Sequence, residues 1–157
     1  MKAIPFVLLA VSAAAQVKHQ HHPPRSATEY MHVLDAKERD AWQKPHEVIA
    51  ALNLRQDEVI ADIGAGTGYF SRRFARHAAA VYAVDIEPKL LEVATKDAPS
   101  NLRTVVAAAD DPRLADSSVD TIFFCNVLHH IEGRPAYYAK LQPGAEAGRA
   151  HCHRGLL

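Results

Sequence analysis

A glycine-rich turn directly after a short apolar run is the feature that most limits how this chain can fold. The run V-I-A-D-I occupies Val59–Ile63, and Gly64, Gly66 and Gly68 follow it at alternate positions. Glycine adopts positive φ readily, and it lets a ligand approach the backbone where a Cβ would intrude. We therefore predict a buried strand, a tight turn and a helix over 69–77, with a small organic molecule bound against the turn.

The alternation of apolar runs and amphipathic segments continues along the chain. Further strands are predicted over 80–84, 102–107 and 119–125, and further helices over 88–98 and 135–141. This order predicts an α/β fold with a doubly wound, Rossmann-like parallel sheet, whose ligand lies at the carboxyl ends of the strands.

The C-terminal segment breaks this pattern. Residues 145–157 contain no β-branched side chain and no apolar run, so we expect an irregular tail there. The sheet would then be incomplete at its C-terminus, as in a chain truncated after its fourth strand. Ile122, Phe123 and Phe124 would lie beside an open sheet edge, which favours self-association.

The N-terminus has the composition of a secretory signal peptide over residues 1–15. Lys2 precedes an apolar run over 3–11, and small residues stand at Ala13 and Ala15. This order predicts cleavage after Ala15 and an exported or periplasmic protein, or a cytoplasmic one if the leader is not processed. The apolar run is too short to span a bilayer, so no stable membrane span is expected.

Two further segments precede the core. Residues 16–25 form a His- and Pro-rich linker, and residues 26–54 are predicted to form a helical cap, with Pro45 opening its second helix. Arg39 and Trp42 lie between the two helices of this cap and are candidates for facing a ligand, although a boundary tryptophan more often packs. The core itself is expected over 55–144.

Composition excludes several classes of function. The 157 residues carry 18 Lys plus Arg and 18 Asp plus Glu, so the chain lacks the positive charge of a nucleic-acid-binding protein. Its two cysteines have no zinc-site spacing, and we predict no bound metal. Cys125 ends the fourth predicted strand and is expected to be a small buried residue rather than a nucleophile. The partner that these features favour is a small molecule.

The residues around the glycines limit the chemistry of that molecule. Tyr69 stands where the dinucleotide fingerprint G-x-G-x-x-G requires its third glycine, and the G-K-S or G-K-T of a phosphate-binding loop is absent. Asp62 lies two residues before Gly64, where a carboxylate suits a cationic amino group and would repel a pyrophosphate.

Other acidic residues follow the next two strands. Asp85 ends the second strand, where a carboxylate can accept hydrogen bonds from both hydroxyls of a ribose. Asp110 or Asp111, after the third strand, can accept from an exocyclic amine such as that of adenine. A cationic amino acid, a ribose and an amino-bearing base together indicate S-adenosylmethionine as the cofactor.

Four motifs in order resemble those of class I S-adenosylmethionine-dependent methyltransferases, close to the quinone-methylating type (methyltransferase type 11). They are D-I-G-A-G-T-G, V-D-I, the acidic pair Asp110-Asp111, and S-V-D-T-I-F-F-C-N-V-L-H-H-I, within roughly residues 45–144. The resemblance implies methyl transfer to a small-molecule acceptor. The cofactor contacts that it implies are Asp62, Gly64 and Gly66 at the methionine part, with Ala65 and Gly68 in the same turn, Asp85 at the ribose, Ile86 on the adenine face, Asp110 or Asp111 at the adenine edge, and Asn126 beside the cofactor.

His129 and His130 follow the fourth predicted strand and are candidates for a catalytic base. A neutral imidazole there can take a proton from the methyl acceptor, although histidines at helix starts commonly only pack. Two other functions remain open at this point. One is a truncated, non-catalytic fragment that keeps at most a cofactor-binding half, and the other is an NAD-dependent oxidoreductase, which Tyr69 and Asp62 disfavour.

Overall fold

The computed structural model describes residues 31, 34, 36 and 38–141, together with the backbone of residues 151–154. The predicted signal peptide (1–15) and linker (16–25) lie outside these residues. None of the helices in the described part of the chain is long and apolar enough to cross a membrane.

Strands and helices alternate along the described chain. The strands are β1 (Val59–Ile63), β2 (Ala80–Asp85), β3 (Leu102–Val106), β4 (Thr121–Phe124) and β5 (His151–Arg154). The helices are α1 (Arg39–Gln43), α2 (Pro45–Leu52), α3 (Ser71–Phe74), α4 (Pro88–Thr95) and α5 (Arg134–Lys140), with a single 3-10 turn at Leu128–His130 between β4 and α5. The predicted bounds of β1 to β4 agree with these to within two residues.

All five strands pair in parallel in the order β3-β2-β1-β4-β5. The chain runs outward from β1 to β3 and then returns to the other side of β1, which is the doubly wound arrangement. The predicted parallel α/β fold is therefore confirmed. Because the order reverses beside β1, a crevice opens between the ends of β1 and β4.

The predicted irregular tail over 145–157 is wrong at residues 151–154. This segment forms β5 and pairs with β4, from Thr121 opposite His151 to Phe124 opposite Arg154. Strand formation there depends on main-chain pairing with an available edge, which local composition does not reveal. The open edge expected beside β4 is therefore covered, and self-association through that edge loses its basis. Truncation of the chain stays a prediction.

The helix predicted over 69–77 is shorter in the structure. Only Ser71–Phe74 is α-helical, and tighter turns flank it, with Gly68 N–H donating to the Ala65 carbonyl and His77 N–H donating to that of Phe74. Glycine at position 68 has φ of +84°, which is outside the helical region. Residues 69 and 70 belong to the turn, so the helix begins two residues later than the apolar pattern predicts.

Two apolar layers cover the sheet. One lies under α2 and α3, where Phe70, Phe74 and Phe123 pack with ring centroids 4.9–5.7 Å apart. The other lies under α5 and includes Ile63, Val84, Phe124 and Tyr137. Because β1 supplies Ile60 to the first layer and Ile63 to the second, its position between the two layers is fixed from both faces.

Replacing Phe74 with alanine should destabilise the fold by about 3–5 kcal/mol, since the side chain is fully buried and its removal leaves a large cavity. Urea denaturation measures this loss. Val106→Ala, at an exposed apolar position on β3, is the control and should cost less than about 1 kcal/mol. Equal losses in the two variants would contradict this account of the core.

Candidate functional site

A cavity of about 890 Å³ opens at the carboxyl edge of the sheet, where the sequence places the ligand. This volume is within the usual range for sites that bind small molecules. Four segments contribute most of the wall: the glycine turn at 62–67, the end of β2 at 84–87, the turn after β3 at 107–109 and the residues after β4 at 125–127. Residues of α1 and the segment before it cover one side.

The three glycines of the turn serve different purposes. A Cβ on Gly64, where φ is +74°, would lie 2.4 Å from Cγ2 of Val127, so this position must be glycine for the turn to pack on the segment after β4. A Cβ on Gly68 would lie 2.9 Å from that of Ala94 in α4. Gly64 and Gly66 line the cavity, whereas the structure places Gly68 against α4 and outside the cavity wall.

The amide groups of the turn are hydrogen-bonded within the protein. The N–H groups of Gly64 and Ala65 donate to the Val84 carbonyl at 2.8 and 3.1 Å, and that of Gly68 donates to the Ala65 carbonyl at 3.0 Å. The Gly68 amide is therefore not available to a ligand. These bonds hold the turn on β2, and Ala65 still lines the cavity.

Asp62 is the next-to-last residue of β1 and a buried carboxyl group in the cavity wall, with 3% of its surface exposed. Its Oδ2 accepts a hydrogen bond of 2.6 Å from Ser71 Oγ. Burial raises the pKa of Asp62 to about 6 and the charge of Asp85 adds to this, while the Ser71 hydrogen bonds and the charge of Arg39 oppose it. A cationic group placed beside Asp62 would restore its ionisation.

Asp85 is held at the cavity wall by two backbone amides. Gly66 N–H donates to Oδ2 at 2.8 Å, and Glu87 N–H donates to Oδ1 at 3.0 Å. A carboxylate oxygen can accept more than one hydrogen bond, so both oxygens can still accept from a ligand. The fixed orientation of this carboxylate suits a pair of neighbouring hydroxyl groups, and the role of Asp85 at a ribose stays a prediction.

Ile86 and Asn126 both line the cavity. Ile86 has 63% of its surface exposed, which makes it a large apolar side chain that a planar ligand could cover. Asn126 follows β4 with φ of +54°, in the left-handed region that asparagine tolerates better than most residues. The structure brings both residues to the site that the sequence assigned to them.

Neither Asp110 nor Asp111 reaches the cavity, contrary to the role predicted for them at the adenine edge. Lys140 Nζ of α5 lies 3.2 Å from Asp110 Oδ2 and 3.6 Å from Asp111 Oδ2. A backbone bridge between Ala108 and Asp111 closes the turn, so that residues 107–109 face the cavity instead. Arg113 N–H also donates to Asp111 Oδ1 at 2.7 Å and is the main reason that the pKa of this carboxyl is lowered.

The two candidate catalytic histidines stand on the 3-10 turn after β4. Their ring centroids are 3.9 Å apart, and both side chains are exposed. His130 lines the cavity, and His129 is not among the residues that do. A proton-accepting role for either stays a prediction, and the geometry favours His130.

The N-terminal cap is anchored on the glycine turn through Tyr69. Its hydroxyl donates to Asp40, and the guanidinium groups of Arg39 and Arg73 lie 3.9 and 4.1 Å from the ring centroid. Arg73 also donates to Asp40 Oδ1 at 2.9 Å. The sequence argument used Tyr69 only to exclude a dinucleotide fingerprint, and nothing local in the sequence reveals its contact with α1.

Arg39 and Trp42, considered as ligand-facing residues from the sequence, both line the cavity, and 57% of the Trp42 surface is exposed. Cys125 lines it as well, and its Sγ donates to Gln43 Oε1 at 3.3 Å. Burial raises the pKa of the Cys125 thiol to about 11, so it is neutral and weakly nucleophilic near neutral pH. Tyr137 of α5 is a further wall residue that the sequence analysis missed.

No cluster of three or more His, Cys, Asp or Glu side chains that could hold a metal ion occurs in the described part of the chain. The wall therefore combines two fixed carboxyl groups, one exposed isoleucine, a glycine turn and several aromatic residues. Such a site fits an uncharged or cationic organic molecule better than a polyphosphate.

Residues 61–142, more than half of the chain, match the family of proteins described as the methyltransferase domain. The chain belongs to this methyltransferase family. It is 30% identical over 116 residues to an uncharacterized methyltransferase of Mycobacterium bovis, a match that covers 72% of this chain and 47% of that protein. The chain spans between 18% and 47% of the length of the curated relatives that it matches.

Solved methyltransferases share the fold. A SAM-dependent methyltransferase from Aquifex aeolicus superposes with a TM-score of 0.68 at 19% identity, over 76% of this chain and 66% of that one. A phosphoethanolamine N-methyltransferase from Haemonchus contortus, solved with phosphoethanolamine and S-adenosylhomocysteine, superposes with a TM-score of 0.59 at 18% identity. That match covers 73% of this chain and 27% of the other.

Gly64→Ala should destabilise the methyltransferase domain by at least about 2 kcal/mol more than Gly133→Ala, as measured by urea denaturation. Both glycines have positive φ, so both variants bear the same kind of backbone strain. Only at Gly64 does the new Cβ meet Val127, whereas no atom lies within 4 Å of the position at Gly133. A similar loss in both variants would show that the close packing of the turn on the segment after β4 is unimportant.

The pKa of Asp62 predicts a pH dependence of stability in the ligand-free protein. Because the folded-state pKa of about 6 is above the unfolded value of 3.8, the folded state binds the proton more tightly. The stability from this group is complete below about pH 4 and is lost as the pH rises through about 6, for a total near 3 kcal/mol. Asp62→Asn should therefore gain stability relative to the unmodified chain between those pH values.

Chemical unfolding of both proteins across this pH range measures the difference. Asparagine keeps an oxygen that accepts the Ser71 hydrogen bond, so the comparison isolates the charge. A difference that stays constant with pH would contradict the raised pKa.

Proposed function

We propose that this chain binds S-adenosylmethionine and transfers its methyl group to a small-molecule acceptor. The observation that carries the proposal is the pair Asp62 and Asp85, two carboxyl groups fixed beside a glycine turn in one cavity wall. The cofactor supplies a methyl group already activated on a cationic sulfur. The protein's residues need only bind the two reactants, align them and exclude water.

The three ends of the cofactor fit different parts of the wall. Burial raises the pKa of Asp62, and an ammonium group beside it would favour the ionised carboxylate and pair with it. Asp85 presents both oxygens to the ribose hydroxyls from a position fixed by two amides. Ile86 offers its exposed apolar surface to the adenine ring.

The acceptor is expected on the side of the cavity formed by α1 and the segment after β4. Trp42 offers an aromatic surface there, and His130 offers an imidazole that can take the proton released from the acceptor. Arg39 of α1 also lines this side, so the wall combines an aromatic surface, an imidazole and a guanidinium group.

An oxidoreductase that binds NAD is disfavoured by the same residues. A buried carboxyl group beside the turn opposes a pyrophosphate, and the amides of Gly64, Ala65, Gly66 and Gly68 are occupied within the protein. The remaining alternative is a domain that binds the cofactor without catalysis.

Calorimetric titration tests the binding step. We expect S-adenosylmethionine and S-adenosylhomocysteine to bind, NAD not to bind, and Asp85→Asn to weaken binding of both by roughly 10- to 100-fold, because a hydrogen bond to a charged group is lost. Asp57→Asn is the matched control: its carboxyl group is exposed, is paired with Arg55 and does not line the cavity, so binding should be unchanged.

The outcomes separate the candidate functions. If NAD binds in preference, the methyltransferase proposal fails. If S-adenosylmethionine binds but no methyl transfer to any of a panel of small hydroxylated, amino or thiol compounds is detected by release of S-adenosylhomocysteine, the non-catalytic alternative is favoured.

A further inference from the structure

Tyr137 is a buried tyrosine whose hydroxyl has no hydrogen-bond partner in the described part of the chain. Only 4% of the side chain is exposed, and it lines the cavity from α5. Buried tyrosine hydroxyls normally pair with a protein group or a water molecule. The other cavity-lining tyrosine, Tyr69, follows this rule by donating to Asp40.

The hydroxyl of Tyr137 is also not sealed inside the protein. Among the described residues, the side-chain polar atoms that have neither solvent access nor a hydrogen-bond partner are Gln43 Nε2 and Ser118 Oγ. The Tyr137 hydroxyl is not one of them. Since the Tyr137 ring lies in the apolar layer under α5, the part of the side chain that remains accessible is available at the cavity wall. A ligand in the cavity can therefore supply the missing partner.

Burial and the charges of two carboxyl groups affect the Tyr137 hydroxyl. Burial is the main cause that raises its pKa to about 12, and the charges of Asp111 and Asp85 add to the effect. The hydroxyl therefore remains protonated near neutral pH and can act as a hydrogen-bond donor.

Tyr137 packs in the apolar layer under α5 together with Val84 and Ala107, and all three line the cavity. Val84 directly precedes Asp85 and Ile86 in the chain, and these two residues line the cavity as well. Tyr137 therefore belongs to the part of the wall formed at the ends of β2 and β3.

Lys140 fixes the helix that presents Tyr137. It stands one turn further along α5 and so on the same face of the helix. Its Nζ donates to the Asp110 carbonyl at 2.8 Å and lies 3.2 Å from Asp110 Oδ2. The acidic pair after β3 thus acts on the cavity indirectly, by tying α5 to the end of β3.

We propose that the Tyr137 hydroxyl donates a hydrogen bond to the adenosine part of the bound cofactor, and that Tyr137 is a cofactor-binding residue. This inference rests on the proposed function, because it assigns one contact within the same site. The acceptor atom is a ring nitrogen of the adenine or an oxygen of the ribose, since these are the acceptors that an adenosine offers.

Tyr137→Phe tests the proposal because it removes the hydroxyl and keeps the ring. S-adenosylhomocysteine and adenosine should both bind about fivefold to tenfold more weakly, as expected for the loss of one neutral hydrogen bond. The ligand-free variant should melt at the same temperature as the unmodified protein or slightly higher, because the hydroxyl has no described protein partner to lose. Tyr138→Phe is the matched control on the same helix, where the ring packs on Phe124 and does not line the cavity.

Each result of the titrations has a distinct meaning. If the unmodified chain binds neither S-adenosylhomocysteine nor adenosine, the proposed function itself fails. If it binds them and Tyr137→Phe binds them equally well, the proposed function stands and the role of Tyr137 is overturned. If only S-adenosylhomocysteine is weakened, the hydroxyl does not act on the adenosine part and the assignment is also overturned.

A second measurement covers the case in which Tyr137→Phe folds poorly. Adenosine analogues that lack one ring nitrogen or one ribose hydroxyl are titrated into the unmodified protein and into Tyr138→Phe. One analogue should bind the unmodified protein more weakly than adenosine does, by the same factor by which Tyr137→Phe weakens adenosine binding. If Tyr137→Phe folds, that analogue and adenosine should bind the variant with equal affinity. Equal affinity for all analogues would overturn the proposal.

Discussion

The hydrogen bonds between the glycine turn and the end of β2 hold the site together. The Val84 carbonyl accepts from the amides of Gly64 and Ala65, and the Asp85 carboxylate accepts from that of Gly66. The shape of the cavity wall and the orientation of its main polar group are therefore set by the same few bonds. Glycine is required at position 64 because the turn also packs closely on Val127. This contact brings the ends of β1 and β2 together with the segment after β4.

Around this junction the site combines groups that are unfavourable without a ligand. Asp62 is a carboxyl group buried beside another one, and its raised pKa shows that its ionised form is poorly solvated. The Tyr137 hydroxyl lacks a partner in the described part of the chain, and Ile86 exposes most of its side chain. A molecule with an ammonium group, hydrogen-bond acceptors and a flat ring would satisfy all three at once. Binding sites commonly retain such local costs because ligand binding removes them.

The sequence was sufficient for the central part of the fold. The apolar runs at β1 and β4 are buried on both faces, and their composition alone predicts that they are strands. Residues at or just beyond the carboxyl ends of strands, namely Asp62, Asp85 and Asn126, line the cavity as the sequence predicts. The errors involve contacts between distant segments. Asp110 and Asp111 lie outside the cavity wall and beside Lys140, and β5 pairs with the edge of β4. Neither contact has a local signal in the sequence.

The position of Trp42 has a practical consequence. It is the only tryptophan among the 157 residues, and it stands at the cavity wall with 57% of its surface exposed. Indole emission moves to shorter wavelength when water is displaced from the ring, so a molecule seated against this side chain changes the intrinsic fluorescence of the whole chain. The protein thus carries its own optical reporter of occupancy, and candidate acceptors can be screened against it without a label.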